Sequence, residues 1–290
     1  MLSIPTLLAA ILIGVSLGLI GGGGSILTVP ALTYLADVDV VSATAYSLFI
    51  VGVSSAVGSI NFIRKKQVDL RTAVVFAIPS LIAVWLTRAF LIPAIPDIVF
   101  SSGSFTLSKD LAIMVFFSLI MILASVSMIS NKKKTDNDEN KAPQYNFPMI
   151  ILEGFVVGTV TGIVGAGGGF LIIPALVILA KIPMKKAVGT SLLIIATKSL
   201  IGFTGDLSNS ALVIEWGILL PFTLLAVVGI FGGTYIGKFV PSPKLKKGFG
   251  IFILIMGVYI ISDRVSKLNL NEPQNEIVIP NKSVLKSNLS

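Results

Sequence analysis

The sequence predicts an all-α polytopic membrane protein built from two inverted-topology repeats. Each repeat is a Gly-broken helical hairpin followed by three transmembrane helices, about eight hydropathy segments in all. Three observations predict it. Mean hydropathy is +0.95 and only 12% of residues are charged, about half the share of an ordinary soluble domain. A block near the N-terminus recurs mid-chain in fixed register. Equivalent loops of the two blocks carry opposite charge.

Apolar segments lie near residues 3–36, 41–63, 72–96, 110–130, 148–180, 187–205, 211–237 and 246–262. The organisation is an N-terminal repeat over 1–130, a polar cytoplasmic linker over 131–147, a C-terminal repeat over 148–262 and a polar, poorly ordered tail over 263–290. The N-terminus lacks the basic n-region of a signal peptide, and its glycine run recurs where no signal peptide could be. The chain has no Cys and no His. Disulfides, thiol catalysis, imidazole acid–base chemistry and the usual zinc and haem ligation are excluded, and no cofactor or metal is expected. The 22 basic and 14 acidic residues leave a net charge of +8. That excess lies in loops, so it reads as an orientation signal and lipid contact rather than nucleic-acid binding.

The recurrence is the most informative feature. Gly14 to Leu32 aligns with Gly158 to Leu176, and the register continues through Ala43 and Ala187, Ser47-Leu48 and Ser191-Leu192, and Gly58 and Gly202. Tandem repeats of this kind mark transporters. The loop holding Asp37 and Asp39 pairs with one holding Lys181, Lys185 and Lys186. The loop with Arg64, Lys65, Lys66 and Arg71 pairs with one, from Asp206 to Glu215, that has no basic residue. The loop from Arg88 to Lys109 is nearly balanced, and its partner holds Lys238, Lys244, Lys246 and Lys247. Placing the basic loops and the linker in the cytoplasm satisfies every loop only if the repeats are inverted. The C-terminal Arg264 and Lys267 then fall outside, against the rule. Inversion requires an odd number of crossings per half, so the first segment must enter and leave by one face. Residues 3–36 as one helix would run about 51 Å, too long for one pass and short of two. A helix, a glycine elbow and a shorter second helix fit best. The alternative is a single broken span with parallel halves.

The elbows, Gly21, Gly22, Gly23, Gly24 and Gly165, Ala166, Gly167, Gly168, Gly169, are the candidate binding site. Bare backbone lets a ligand approach closely. The helices expected to start at Ser25 and Gly169 would aim their positive dipole ends into a shared cavity for an anion. The competing reading is close helix packing through small residues, which fits Gly14-x-x-x-Gly18 and Gly158-x-x-x-Gly162. A nucleotide site fails: no strand precedes the run and neither phosphate-loop pattern is met. Thr44, Tyr46 and Ser47 in one half, and Thr190 and Ser191 in the other, offer hydroxyls to oxyanion oxygens or bond their own helix backbone. Lys198 stands inside an apolar segment where the first repeat has Ser54. It either attracts anions or snorkels to the surface. Arg88, Glu153, Asp206 and Glu215 lie near segment ends and read as interfacial, with Trp85 and Trp216 in the aromatic belt.

Each elbow leads into Leu-x-x-Pro-Ala-Leu, at Leu27 to Leu32 and Leu171 to Leu176, and Ala187-Val188-Gly189-Thr190-Ser191-Leu192 follows the second. Over about residues 5–262 the chain resembles the TauE/SafE family of sulfite exporters, also called the toluene-sulfonate uptake permease group. The matching positions are Gly21 to Ser25, Pro30, Gly165 to Gly169, Pro174, Thr190 and Ser191. The first half departs from the pattern, with Ala45-Tyr46 where the second has Gly189-Thr190. The resemblance implies a multi-pass carrier of the bacterial or archaeal inner membrane moving sulfite, sulfonates, sulfoacetate or related anions. The expected partners are a small anion and membrane lipids, with self-association into a homo-oligomer left open and no nucleic acid. The inside-negative potential favours anion export, by about 2.3 kcal/mol per charge per 100 mV. An anion channel and an ion-coupled uptake permease are the alternatives. An embedded enzyme lacks a catalytic constellation, and a scaffold or sensor subunit leaves the paired elbows unexplained.

Overall fold

The computed structural model describes residues 3–102, 105–129, 147–165, 167–178, 182, 184–207, 214–237, 239 and 242–269. Helix α1 (Ile4–Ile20) starts at Ser3, whose hydroxyl accepts from Thr6 N–H, and ends at Gly21. Gly21 has φ 76°, a left-handed value that strains any residue with a Cβ, and its N–H donates to Leu17 O at 2.8 Å. A 3-10 turn (Gly23–Leu27) and α2 (Thr28–Leu35) form the return limb. Thr6 Oγ1 donates to Leu35 O at 2.7 Å, so the end of α2 lies beside the start of α1. The first segment is a hairpin that returns to the level where it began.

The α-helix expected at Ser25 begins at Thr28 instead. Ser25 N–H and Oγ both donate to Gly22 O, three residues back, at 3.2 and 2.6 Å. That is 3-10 spacing, and glycine does little to favour the wider α turn. In the second half α7 (Phe147–Val164) ends at Gly165, with φ 71° and its N–H on Thr161 O at 2.7 Å. There α8 (Gly169–Ile178) does begin at Gly169.

The first half continues as α3 (Val40–Arg64) and α4 (Leu70–Leu86). Asp39 caps α3 by accepting from Ser42 N–H at 2.9 Å. Asp69 caps α4 through Thr72 N–H at 3.0 Å. A π turn (Thr87–Leu91) carries α4 into a final turn, α5 (Ile92–Ala94). An antiparallel hairpin, β1 (Ile98–Ser102) and β2 (Phe105–Ser108), precedes α6 (Lys109–Ile129). The loop read from Arg88 to Lys109 is therefore shorter than expected, because helix continues past Arg88 and the hairpin follows. The second half continues as α9 (Met184–Leu207), α10 (Trp216–Ile236) and α11 (Ser242–Asn269). Helix α11 runs past Asp263, where the polar tail was expected to start. Most of the linker (residues 130–146) and residues 270–290 lie outside the described residues.

Five helices among the described residues are long and apolar enough to cross a membrane, with shorter apolar helices beside them. Outer faces are apolar: Val74, Ile78 and Ile82 on α4, Leu119 and Leu123 on α6, Leu224, Val228 and Phe231 on α10 are all exposed. The innermost helices, α3 and α9, carry buried polar residues instead, including Ser47, Ser54, Thr190, Lys198 and Asp206. Apolar outside and polar inside is the arrangement of a helical protein dissolved in lipid, and the chain is an all-α polytopic membrane protein.

The halves interlock. Helix α1 packs on α10, and its repeat-equivalent α7 packs on α4, the equivalent of α10. Helix α3 packs on its own equivalent, α9. Glycines permit this. A Cβ at Gly14 or Gly18 would strike the α10 backbone at Ala226 or Ile230, and one at Gly229 or Gly233 would strike the α1 backbone at Ile11 or Val15. At Gly158 it would strike α4 at Ser80, and at Gly162 the π turn at Thr87. The Gly-x-x-x-Gly pairs therefore pack helices, as expected.

Candidate functional site

The two elbows come together in the interior. Gly21 to Gly24, Ser25, Gly165 and Gly167 to Gly169 are all buried; Ala166 lies outside the described residues. A Cβ built on Gly22 would fall on Gly169 Cα, and the reverse holds. A Cβ on Gly167 would lie 3.3 Å from Ser25 Cβ. The bare backbone thus serves elbow against elbow, with Ile195 of α9 closing the same contact.

Each elbow also meets the buried helix of the opposite half. A Cβ on Gly21 would lie 3.0 Å from Ser191 Oγ and against Val188. On the repeat-equivalent Gly165 it would strike Thr44, the equivalent of Val188. Reciprocal contacts of this kind put Ser191 and Thr44 at the elbows. The hydroxyls are partly engaged by their own helices: Ser191 Oγ donates to Val188 O at 2.8 Å and Thr44 Oγ1 to Val41 O at 2.7 Å. Ser47 Oγ is buried and makes no hydrogen bond among the described residues.

Thr190 and Tyr46, which are repeat-equivalent, have a different task. Thr190 Oγ1 accepts from the N–H of Asp69, the N-cap of α4, at 2.8 Å. Tyr46 Oη accepts from the N–H of Glu215, the N-cap of α10, at 2.6 Å. Thr-to-Tyr replacement thus keeps one function, satisfying the orphan donor at a helix start.

Charge breaks the symmetry. Lys198 is fully buried, and its Nζ donates to Thr161 Oγ1 at 3.0 Å. A Cβ on Gly168 would lie 2.7 Å from that Nζ. The lysine points at the second elbow and does not snorkel. Arg88 and Asp206, read as interfacial, are buried as well, at 0% and 5% exposure. They pair at 3.4 Å, and Arg88 Nη1 also donates to Thr44 Oγ1 at 2.9 Å. Helix continues through the π turn past Arg88, where the loop was read to begin, which draws Arg88 inward against α9 at Gly205. Position near a segment end gave no hint of this; only the pairing across halves does. Thr161, the partner of Lys198, was also missed, because it sits in a packing stripe beside Gly158 and Gly162.

A lipid-dissolved helical fold whose centre holds paired broken helices and buried cations is the architecture of a membrane transporter. Residues 6–260 match the family described as sulfite exporter TauE/SafE, and the chain belongs to that family of membrane transporters. Its relatives bear names of the same kind. A "Probable membrane transporter protein" of Xylella fastidiosa is 27% identical over 254 residues, covering 86% of this chain and 91% of the relative. The "Probable membrane transporter protein YunE" of Bacillus subtilis is 28% identical over 265 residues, covering 84% and 89%. A "Probable membrane transporter protein MJ0441" of Methanocaldococcus jannaschii is 34% identical over 137 residues, covering 42% and 50%.

Proposed function

We propose that this transporter is a secondary carrier that exports a small anion across the bacterial cytoplasmic membrane by alternating access around the two elbows. Sulfite, a sulfonate, sulfoacetate or a related sulfur or organic anion is the cargo class. The observation that carries this reading is the pair of cations, Lys198 and Arg88, both fully buried, Lys198 against the second elbow at Gly168 and Arg88 one side chain behind it, through Thr44. Burying a cation in a bilayer-spanning protein is costly unless something negative repays it. Asp206 offsets one charge at most, so a net positive interior remains for an anion. The elbow amides add donors without side-chain bulk. In this reading the Gly22–Gly169 contact is the closed position between two openings.

Inverted repeats support such a cycle, because a half and its mirror can exchange roles at the two faces. The hairpin closure from Thr6 to Leu35 and the reciprocal packing of α1 on α10 and α7 on α4 favour inversion. With no native cysteine, single cysteines can test it. Asp37→Cys lies just before α3, and Lys186→Cys lies in the first turn of its repeat-equivalent, α9. Labelling of the two from opposite faces is expected; labelling from the same face means parallel halves.

Flux of sulfite, methanesulfonate and sulfoacetate into proteoliposomes tests the activity. Saturable flux driven by an imposed potential is expected. Flux that never saturates and runs at channel rates would mean a channel with the same architecture, and no flux with any of the three would overturn the anion assignment.

A further inference from the structure

Arg88 is bonded in an unusual way for a buried ion pair. Among the described residues Nη1 makes every hydrogen bond of the side chain, to Thr44 Oγ1 at 2.9 Å and to Asp206 Oδ1 at 3.4 Å. Among the described residues Nε and Nη2 have no hydrogen-bond partner, and neither has Asp206 Oδ2. A guanidinium offers two forks, an end-on pair (Nη1, Nη2) and a side-on pair (Nε, Nη2). A carboxylate serving only structure takes one of them with both oxygens, and at full burial it has every reason to do so. Here Asp206 takes a single prong at long range and leaves the side-on fork open.

The fork lies in the right place. Thr44, which holds Nη1, is the residue that a Cβ on Gly165 would strike, so the guanidinium is one side chain away from the second elbow. Lys198 approaches the same elbow at Gly168. Lys198 and Asp206 stand at i and i+8 on α9, about 12 Å apart along its axis. The π turn that carries Arg88 interrupts a regular helix, a feature found often at functional positions.

We propose that the side-on Nε–Nη2 fork of Arg88 binds two oxygens of the transported oxyanion, and that Asp206 is a resident competitor which the anion displaces. This rests on the anion-carrier reading above. Two oxygens on one central atom, as in a sulfite, a sulfonate or a carboxylate, match the fork; a halide does not. Thr44 orients the guanidinium while Asp206 holds it loosely, so the cation is neutralised between cycles without being blocked.

The test is sulfite flux and half-saturation in proteoliposomes of the full chain, beside melting temperature in detergent. Arg88→Lys keeps the charge and loses the fork, and half-saturation should rise about tenfold. Asp206→Asn removes the competitor, and half-saturation should fall severalfold. Arg88→Gln with Asp206→Asn removes both charges of the pair and strands neither, so it should melt near wild type yet show the same rise as Arg88→Lys. A structural ion pair predicts the opposite: the double variant would transport with wild-type half-saturation, and that result overturns the proposal. Thr44→Val, isosteric and uncharged, is the second variant should the others fail to fold. A severalfold rise supports the fork, and an unchanged half-saturation overturns it. Wild-type protein that moves none of the test anions would overturn the functional reading itself, whereas wild-type flux with an unaltered Arg88→Lys variant overturns the fork alone.

Discussion

The two elbows share a backbone plan and differ in what surrounds them. Gly21 and Gly165 take nearly the same φ, 76° and 71°, and donate to equivalent carbonyls, Leu17 O and Thr161 O. Each then meets the buried helix of the other half. Around the first elbow the neighbours are neutral: Ser16, Val188 and Ser191. Around the second stand Thr161, Lys198 and Thr44 with Arg88 behind it. The repeat-equivalents of Lys198, Arg88 and Thr161 are Ser54, Gly232 and Leu17. The two halves therefore agree in elbow backbone and helix packing and differ in charge. On the carrier reading proposed above, symmetric packing suits a scaffold that exchanges two orientations, and one charged elbow suits a single cargo held once per cycle.

The largest effect is expected where the halves are alike. Gly22→Ala or Gly169→Ala places a Cβ on the facing glycine backbone, which no rotamer change relieves. Overpacking of a rigid contact costs about 1–3 kcal/mol, and at the point where both elbows meet it should abolish anion flux while the protein still inserts. Gly217→Ala meets nothing within 4 Å and serves as the neutral control. Wild-type flux in Gly22→Ala, normalised to reconstituted protein, would separate the elbows from transport.

The second effect probes where the halves differ. Lys198→Met keeps the length and removes the charge, and half-saturation for sulfite should rise about tenfold to a hundredfold, the worth of a charge-assisted contact. Ser54→Ala, at the equivalent place, should change half-saturation and stability within about 0.5 kcal/mol. Ser54 Oγ makes no hydrogen bond among the described residues, so little is lost. Equal effects at the two positions would mean that the charge asymmetry has no role in binding.

Much of this plan is readable from residue order, and the unreadable part has a physical cause. Hydropathy locates the helices because lipid demands long apolar runs, and glycine runs locate the breaks because only they tolerate such backbone. The Gly-x-x-x-Gly stripes declare helix contacts for the same local reason. Arg88 and Asp206 are different. Each lies near the end of an apolar stretch, where a charge is unremarkable. Their burial follows from a pairing between halves and from a π turn that no local pattern announces. The β1–β2 hairpin escaped because its short strands sit in a segment whose Pro93 and Pro96, with Ser101 to Ser104, read as loop. The α2 start escaped because Ser25 looks like an N-cap, yet it bonds backward to Gly22.

The smallest effect separates scaffolding hydroxyls from binding hydroxyls. Thr190 was a candidate ligand, but its Oγ1 accepts from Asp69 N–H at the start of α4, as Tyr46 does for Glu215 at the start of α10. Thr190→Val should remove this acceptor from the Asp69 N–H and cost about 1 kcal/mol of stability, visible as a lower melting temperature in detergent. Tyr46→Phe should do the same at α10 by a similar amount. Half-saturation for sulfite should be unchanged in both, because the lost bond lies at a helix start and not at an elbow. A rise in half-saturation without a change in melting temperature would return Thr190 to the binding set, and would mean that the second half carries its cargo contacts on α9 as well as on the elbow beside it.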